Sequence, residues 1–466
     1  MLNKNKPFVD VQKIVNEITD AANEKNIKYF EDEFSKYINA SRSIATNQGR
    51  SALLLALKIL GVKKSDEVIV QSLICSVVID AILELGATPV LVDNSIKDYN
   101  VSPSKIEKKI TPKTKVIIAA HLYGVPCDIK EILSIARENN CYLIEDCAHT
   151  IGAKYNGKNV GTYGDISFFS FNFGKPMSTG DGGMLVINNN KLIEKANDVL
   201  KDYERTPIAS EKEMIYALLV QHFLTQREFY NIELPNAFCK KLLRRDKNLF
   251  SLIDNIITNK SSEKEIENRI VKYLKNHNIL PEKESLLVSN PFIRDYALKF
   301  EKLLKYLPLP MPSKANKIES KFLLMNSLRS TVGLIALESI DQVNKIRNEN
   351  AKYFADTLND SWTLPTIDKE KEPAFLYYTV LNNTKYSVSQ INVKGKKQGF
   401  ELGNYNWLRP VHLKYPYSKL LSYNQKELKN SEYLSSHLIN LPVHYYVSGE
   451  DLENINGFMN NRVVAN

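Results

Sequence analysis

Cysteine is scarce, and its spacing offers no pairs: five residues (Cys75, Cys127, Cys141, Cys147 and Cys239) in 466, with no CxxC. That argues against a zinc ribbon, a thioredoxin-type redox pair and a disulfide scaffold, and the odd count fits buried thiols in a reducing compartment. No uninterrupted apolar run reaches the length of a membrane span. The opening MLNKNKPFVDVQKIVNEI puts polar and charged side chains where a secretory signal needs an apolar core, so a cytoplasmic protein is expected. Internal repeats and low-complexity tracts are missing. No His/Cys/Asp grouping has metal-ligand spacing, and no metal is expected. Helix-turn-helix, zinc-finger and aromatic-rich RNA-binding patterns are missing as well. The formal charge of +9 comes from lysines spread along the whole length, which reads as a basic surface and not as a nucleic-acid site.

What is present is the profile of a globular protein, 43% hydrophobic and 25% charged, in a chain too long for one hydrophobic core. From about residue 44 to 190, short apolar runs alternate with helical stretches, the pattern of βαβ units on a mostly parallel sheet. SALLLALKIL (51–60) reads as a helix closed by Gly61, EVIV (67–70) as a strand, 76–85 as a helix closed by Gly86, and PVLV (89–92) as a strand. KVIIAA (115–120) and CYLIE (141–145) are further strands around a helix over 128–138, followed by ISFFSF (166–171) and MLVI (184–187). The runs are short and do not alternate, as expected of strands covered on both faces. Between about 191 and 312 the character changes to Lys-, Glu-, Leu- and Asn-rich helical segments, read as an insertion with its own packing. Helical spacing returns over 324–358, and 373–466 mixes short strands and helices. The expected architecture is α/β: a large domain over 1–335 with flanking helices, and a smaller C-terminal α/β domain over 336–466.

In an open parallel sheet, ligands sit beyond the carboxyl ends of the strands, so polar residues just after a strand are the ones to read. Lys175 follows ISFFSF in SFNFGKPMSTGDGG; held partly desolvated, its amine is neutral often enough to act as a nucleophile on a carbonyl. Alone it reads more readily as a solvent-facing lysine, and context has to decide. Asp146 directly follows CYLIE and is either an acid facing the crevice or a helix cap. His149 lies three residues on. TNQGRSALLLAL sets Gly49, Arg50 and Ser51 at a helix start, where backbone amides and a hydroxyl make a phosphate site or a plain cap. Ser170 can add a hydroxyl to the same phosphate. His121 and Tyr123, in the HLYG after KVIIAA, line the crevice with no role set by their type.

In order and spacing, GRSALLLALKILGVKKSDEVIV, ELGATPVLVD, HLYGVPCD, LIEDCAHTIGAKYNGKNVGTYGD and SFNFGKPMSTGDGG resemble the DegT/DnrJ/StrS family of sugar aminotransferases. The resemblance covers most of the first 190 residues and, more weakly, the last third. It implies the type I fold of pyridoxal-phosphate enzymes, a homodimer with shared active sites, and transfer of an amino group, usually from glutamate, to a nucleotide-linked keto-sugar. By the same resemblance Lys175 is the cofactor-binding lysine, Asp146 the partner of the pyridine nitrogen, and His149 the group near the phenolic oxygen. Gly49, Arg50, Ser51 and Ser170 match the phosphate cradle. A branch of the family that dehydrates its substrate carries histidine at the lysine position, so Lys175 implies transamination.

The chain also departs from the family pattern. Cys75, in QSLICS, stands where many members stack an aromatic residue on the ring, and Arg50 replaces a small residue of the cradle. Phe322 stands where members carry an Asn that reaches the neighbouring subunit, leaving Arg50 or Arg329 as replacements. NWLRPVH and INLPVH resemble small-domain motifs and make Arg409 and His412 candidate substrate contacts. Rival readings are the dehydratase, a catalytically idle scaffold, and a membrane-surface protein using YALLVQHFL and CKKLLRRDKNLF in the insertion.

Overall fold

A computed structural model of the chain describes residues 1–3, 6–18, 25–226, 236–277, 321–403 and 409–462. Its centre is a seven-stranded sheet built from β1 (Arg42–Thr46), β2 (Glu67–Gln71), β3 (Thr88–Val92), β4 (Thr114–Ala120), β5 (Tyr142–Asp146), β8 (Ile166–Ser170) and β9 (Gly183–Ile187), in the order β1-β9-β8-β5-β4-β2-β3. Pairing from β3 through β8 is parallel, and β9 is antiparallel to both β8 and β1. The carboxyl ends of β1, β2, β4, β5 and β8 therefore share one edge, where β9 begins. The two hairpin strands β6 (Lys154–Tyr155) and β7 (Lys158–Asn159) form a small separate sheet with β11 (Lys371–Glu372).

Strands buried on both faces need apolar side chains at every position, and Val116 to Ala120 of β4 are all buried. One face is covered by α3 (Gly49–Ile59) and α4 (Ser76–Glu84), the other by α5 (Pro103–Glu107) and α6 (Ile129–Glu138). Leu53 to Leu57 are at most 2% exposed, so α3 is wrapped in apolar neighbours on every side and its start is held rigidly against the strand ends. Gly61 and Gly86, at φ of 71° and 70°, stop α3 and α4 in the left-handed conformation a side chain disfavours.

The stretch from 191 is not insertion from its start. α7 (Ile193–Leu200) packs on α3, and Leu192 and Ala196 are buried in the same core as the sheet. A distinct helical core begins with α8 (Ile208–Leu224) and continues through α9 (Asn236–Arg245), α10 (Lys247–Thr258) and α11 (Glu263–Asn276), joined by α1 (Val11–Ile18) near the N-terminus and by α12 (Ser327–Glu338). The apolar residues that suggested a membrane surface are spent there: Tyr216 to Val220, Phe223 and Leu224 on α8, and Cys239, Leu242, Leu243 and Leu249 beyond it, are buried. Among the described residues no helix is long and apolar enough to cross a membrane. The expected YLPLPMP end of the insertion lies outside the described residues.

The helical spacing of 324–358 resolves into α12 and α13 (Ile340–Thr357), and α2 (Lys25–Ile38) packs on α12. A C-terminal antiparallel sheet, β10 (Trp362–Thr363), β12 (Tyr378–Asn382) and β13 (Leu438–Leu441), sits on its own core with Phe354, Val380, Ile439 and Leu441.

Candidate active site

At the shared strand edge lies a cavity of about 200 Å³. Three elements bring its polar groups together. β5 ends at Asp146, buried to 7% exposure, whose Oδ1 accepts the Ala148 N–H at 3.0 Å. The loop from β8 to β9 carries Lys175, half-buried, with its backbone N–H donated to Asn172 at 3.0 Å. The turn from β1 into α3 supplies Gln48, Gly49 and Arg50.

The electrostatics follow from burial. Lys175 is pushed below the ordinary lysine range by desolvation, opposed by Cys75 and then by Asp146. Burial raises the Asp146 carboxyl, while the Ala148 N–H, Lys175 and His121 hold it down. His149 is pushed well below the usual histidine range, first by burial and then by Lys175. Its Nδ1 accepts the Tyr123 N–H at 3.2 Å, so the neutral ring carries its proton on Nε2.

The start of α3 borders the cavity. Gln48 caps it in an extended conformation, but its side chain is turned to Asp181, Nε2 to Oδ2 at 3.0 Å. The first helical amides, those of Gly49 and Arg50, have no acceptor within the helix, and both residues line the cavity. Glycine is required by space: a Cβ at position 49 would lie 2.9 Å from Ser170 Cβ, 3.1 Å from its Oγ and 3.3 Å from the Phe169 carbonyl oxygen. Arg50 lines the cavity and also stabilises Asp80, whose carboxyl is raised by burial and held by the Tyr417 hydroxyl at 2.6 Å.

Of the residues singled out from sequence, Lys175, Asp146, His149, Gly49, Arg50, Ser170, Cys75 and His121 line this cavity. Four do not. Ser51 is buried and donates its hydroxyl to Asn47 Oδ1 at 2.6 Å, because a side chain two positions along a helix from Gly49 points to another face. Tyr123 is buried behind the wall, its ring 6.2 Å from that of His149. Arg409 is exposed and outside the lining. His412 is fully buried, with Nδ1 at 2.5 Å from the Ser72 hydroxyl and Nε2 at 3.1 Å from Glu432. Arg329 is committed to an internal ion pair with Glu211. Phe322 offers its carbonyl to Asn47 Nδ2 at 2.5 Å.

Sequence reading missed Gln48, Asp181 and Lys414. The first two lie inside motifs already flagged, TNQGR and GDGG. Lys414 is half-buried and lowered by desolvation, with Cys75 opposing, and lies near Cys75 outside the cavity lining. His121, Glu145 and Cys147 do cluster with metal-like spacing, their candidate ligand atoms within 4.8 Å, a grouping the separated positions concealed. Their atoms are otherwise engaged. His121 Nδ1 accepts the Cys127 N–H at 3.1 Å, and Nε2 faces Glu145 at 3.3 Å. Glu145 in turn accepts the backbone N–H groups of Gly161, Tyr163 and Gly164 at 2.7–2.8 Å.

One strand-edge cavity thus joins a desolvated lysine, a buried aspartate and the start of a helix. The chain belongs to the DegT/DnrJ/EryC1/StrS aminotransferase family, whose sequence profile matches residues 8–214 and 318–460. The intervening stretch is thus the extra one, beginning later than residue 191. Among curated relatives, the GDP-perosamine synthase of Escherichia coli O157:H7 is 45% identical over 169 residues, 36% of this chain and 46% of that protein. A dTDP-3-amino-3,6-dideoxy-alpha-D-galactopyranose transaminase of Aneurinibacillus thermoaerophilus is 43% identical over 175 residues, 37% of this chain and 48% of that one. The match thus spans just under half the length of these relatives. In fold, the chain is similar to an aminotransferase from Psychrobacter cryohalolentis, with a TM-score of 0.67 at 20% identity over 97% of this chain and 96% of the other.

Proposed function

We propose that this chain is a pyridoxal-phosphate-dependent aminotransferase that takes an amino group from L-glutamate and delivers it to a nucleotide-linked keto-sugar, in deoxyaminosugar or surface-polysaccharide synthesis. The observation that carries this reading is the convergence in one cavity of Lys175, with its lowered amine, buried Asp146 and the glycine-gated start of α3. The names of the relatives, a GDP-perosamine synthase and a dTDP-linked amino-sugar transaminase, support the substrate class.

Bound pyridoxal phosphate supplies an electron sink that lets an amino-bearing carbon give up a proton. The residues present fit it. The amides of Gly49 and Arg50 and the Ser170 hydroxyl would hold the phosphate, and only a residue without a side chain fits between α3 and Ser170. Asp146 would keep the proton on the ring nitrogen; burial raises its carboxyl, and the Ala148 N–H and Lys175 oppose that rise. Lys175 Nζ would bind the cofactor aldehyde and then carry the proton, a task its desolvation prepares by favouring the neutral amine. His149 would offer Nε2–H as a donor without adding charge. Lys414 and Arg50 would hold anionic groups of the substrates. The same reading includes a cytoplasmic homodimer, in line with five free thiols among the described residues.

Borohydride treatment of protein loaded with pyridoxal phosphate should leave the cofactor on one peptide, that of Lys175, and glutamate should yield 2-oxoglutarate. A Lys175→Ala protein that still retains a borohydride-fixed cofactor overturns the assignment. Elimination of water from a nucleotide-sugar with no amino donor consumed would put the dehydratase in its place. A fully active monomer in sedimentation would remove the shared-site dimer.

A further inference from the structure

Helix α8, which leads into the stretch between the two family-matched segments, touches the cavity through one buried ion pair that the functional reading does not use. Arg329, on α12, is 2% exposed, and its Glu211 partner on α8 is fully buried. Every guanidinium donor is occupied. Nε and Nη2 reach Glu211 Oε1 at 2.8 and 2.6 Å, Nη2 also reaches Thr206 Oγ1 at 3.3 Å, and Nη1 donates to the carbonyls of Asn47 at 2.9 Å and Asp181 at 2.8 Å. Those two carbonyls belong to the two loops that frame the cavity, the turn into α3 and the loop carrying Lys175. Glu211 meanwhile caps α12, accepting the Asn326 N–H at 3.2 Å and the Arg329 N–H at 2.9 Å.

The helix also meets the Lys175 loop directly. Gly180 sits at φ +82°, and a Cβ there would lie 2.5 Å from the Met214 carbonyl oxygen of α8. Phe173, two residues before Lys175, is buried in the same apolar cluster as Ile215 and Leu218. The loop is thus pinned to α8 on both sides of the lysine. Through Arg329, α8 is tied as well to the anion site.

We propose that Glu211 and Arg329 are positioning residues that make α8 a strut, holding the start of α3 and the Lys175 loop at a fixed separation so that one cofactor engages both. The inference rests on the reading of this cavity as a pyridoxal-phosphate site. Arg329 touches no cofactor; it acts through the Asn47 and Asp181 carbonyls. A single Arg329→Gln or Glu211→Gln leaves a buried charge unpaired and loses stability for that reason alone. The informative protein is the double variant Glu211→Gln/Arg329→Gln, in which neither charge remains and neither amide can span both loops. Arg329→Lys serves as its companion, keeping the charge while losing the fork.

The test has two arms on the full-length chain. In unaltered, cofactor-free protein, hydrogen exchange should show the amides of Thr179 and Gly180 opening together with those of α8. Loop amides that open far more readily than α8 overturn the strut, whatever the cavity binds. In the double variant, melting should stay close to the parent, while the dissociation constant for pyridoxal phosphate rises about ten- to a hundredfold, the loss of one or two charge-assisted hydrogen bonds. The glutamate half-reaction should lose kcat with KM little changed, and Arg329→Lys should recover only part of the affinity. Parental cofactor affinity and kcat in either variant would make the pair merely structural and overturn the proposal. If the double variant does not fold, Arg329→Lys and the exchange arm decide. An unaltered protein that takes up no pyridoxal phosphate overturns the functional reading, and the exchange arm still judges the strut.

Discussion

Gly49→Ala isolates the phosphate cradle, because its effect comes from space alone: Gly49 is the first residue of a helix and has no positive φ, so alanine is acceptable to the backbone. The new methyl would meet Ser170 Cβ at 2.9 Å, about half an ångström inside ordinary contact. Either Ser170 retreats at the end of β8, or the start of α3 does. α3 is packed on every side and resists, so both shift a little, an overpacking cost of about 1–3 kcal/mol. Alanine returns at most about 1 kcal/mol through its helix preference. Net destabilisation of the cofactor-free protein is therefore about 1–2 kcal/mol, a small change in melting for a chain of this size. Binding suffers more. A backbone N–H withdrawn by half an ångström from a phosphate oxygen forfeits a charge-assisted hydrogen bond worth about 1.5–3 kcal/mol, raising the dissociation constant about ten- to a hundredfold. Titration of cofactor-free protein with pyridoxal phosphate reads this directly. Ser170→Ala should not relieve the contact, since Cβ remains, whereas Gly49→Ala/Ser170→Gly should recover part of the affinity. Unchanged affinity in Gly49→Ala would refute the placement of the phosphate at α3.

Asp146→Asn should keep the cofactor but cut turnover at least a hundredfold, and near-parental turnover would assign the ring nitrogen to another residue. Removing that carboxylate also takes away a charge that holds the Lys175 amine up, so the pH at which cofactor capture reaches its plateau should fall; a rise would contradict the coupling. His412→Ala should cost about 1–3 kcal/mol of stability by orphaning Ser72 and Glu432 and, since it loosens the segment that carries Lys414, should raise KM for the anionic substrate no more than Lys414→Ala does; a larger rise would return His412 to the substrate site. Lys414→Ala should raise KM for the anionic substrate several-fold without changing cofactor affinity, and equal KM values would remove it from the site.

Much of the fold and the set of residues that meet around Lys175 were legible because both rest on local patterns. Short apolar runs marked every strand of the large sheet from β2 onward, Gly61 and Gly86 marked two helix ends, and Asp146 and Lys175 stood out as polar residues just past the ends of strands. Reading failed where orientation decides. Ser51 sits in the right motif yet faces Asn47, and Arg329 and His412 look in sequence like free cationic groups though each is bonded on several sides within the fold. The boundary of the insertion was misplaced for a related reason: α7 is polar enough to resemble the helices after it, and only its packing on α3 assigns it to the sheet core.

The two halves of the cavity differ in how far apart their residues lie in the chain. The cofactor half is drawn from strand ends that parallel pairing brings to one edge, so a single topological rule locates it. Lys414 comes near Cys75 by another route: the Ser72 carbonyl accepts the Val411 N–H at 3.0 Å and the Ser72 hydroxyl meets His412, docking the later segment against the loop that carries Cys75. His412 thus sets Lys414 beside Cys75 without facing the cavity itself. The motif noticed in sequence serves the site, but by placing its neighbour two residues on, a relation that exists only once residues 72 and 412 have met.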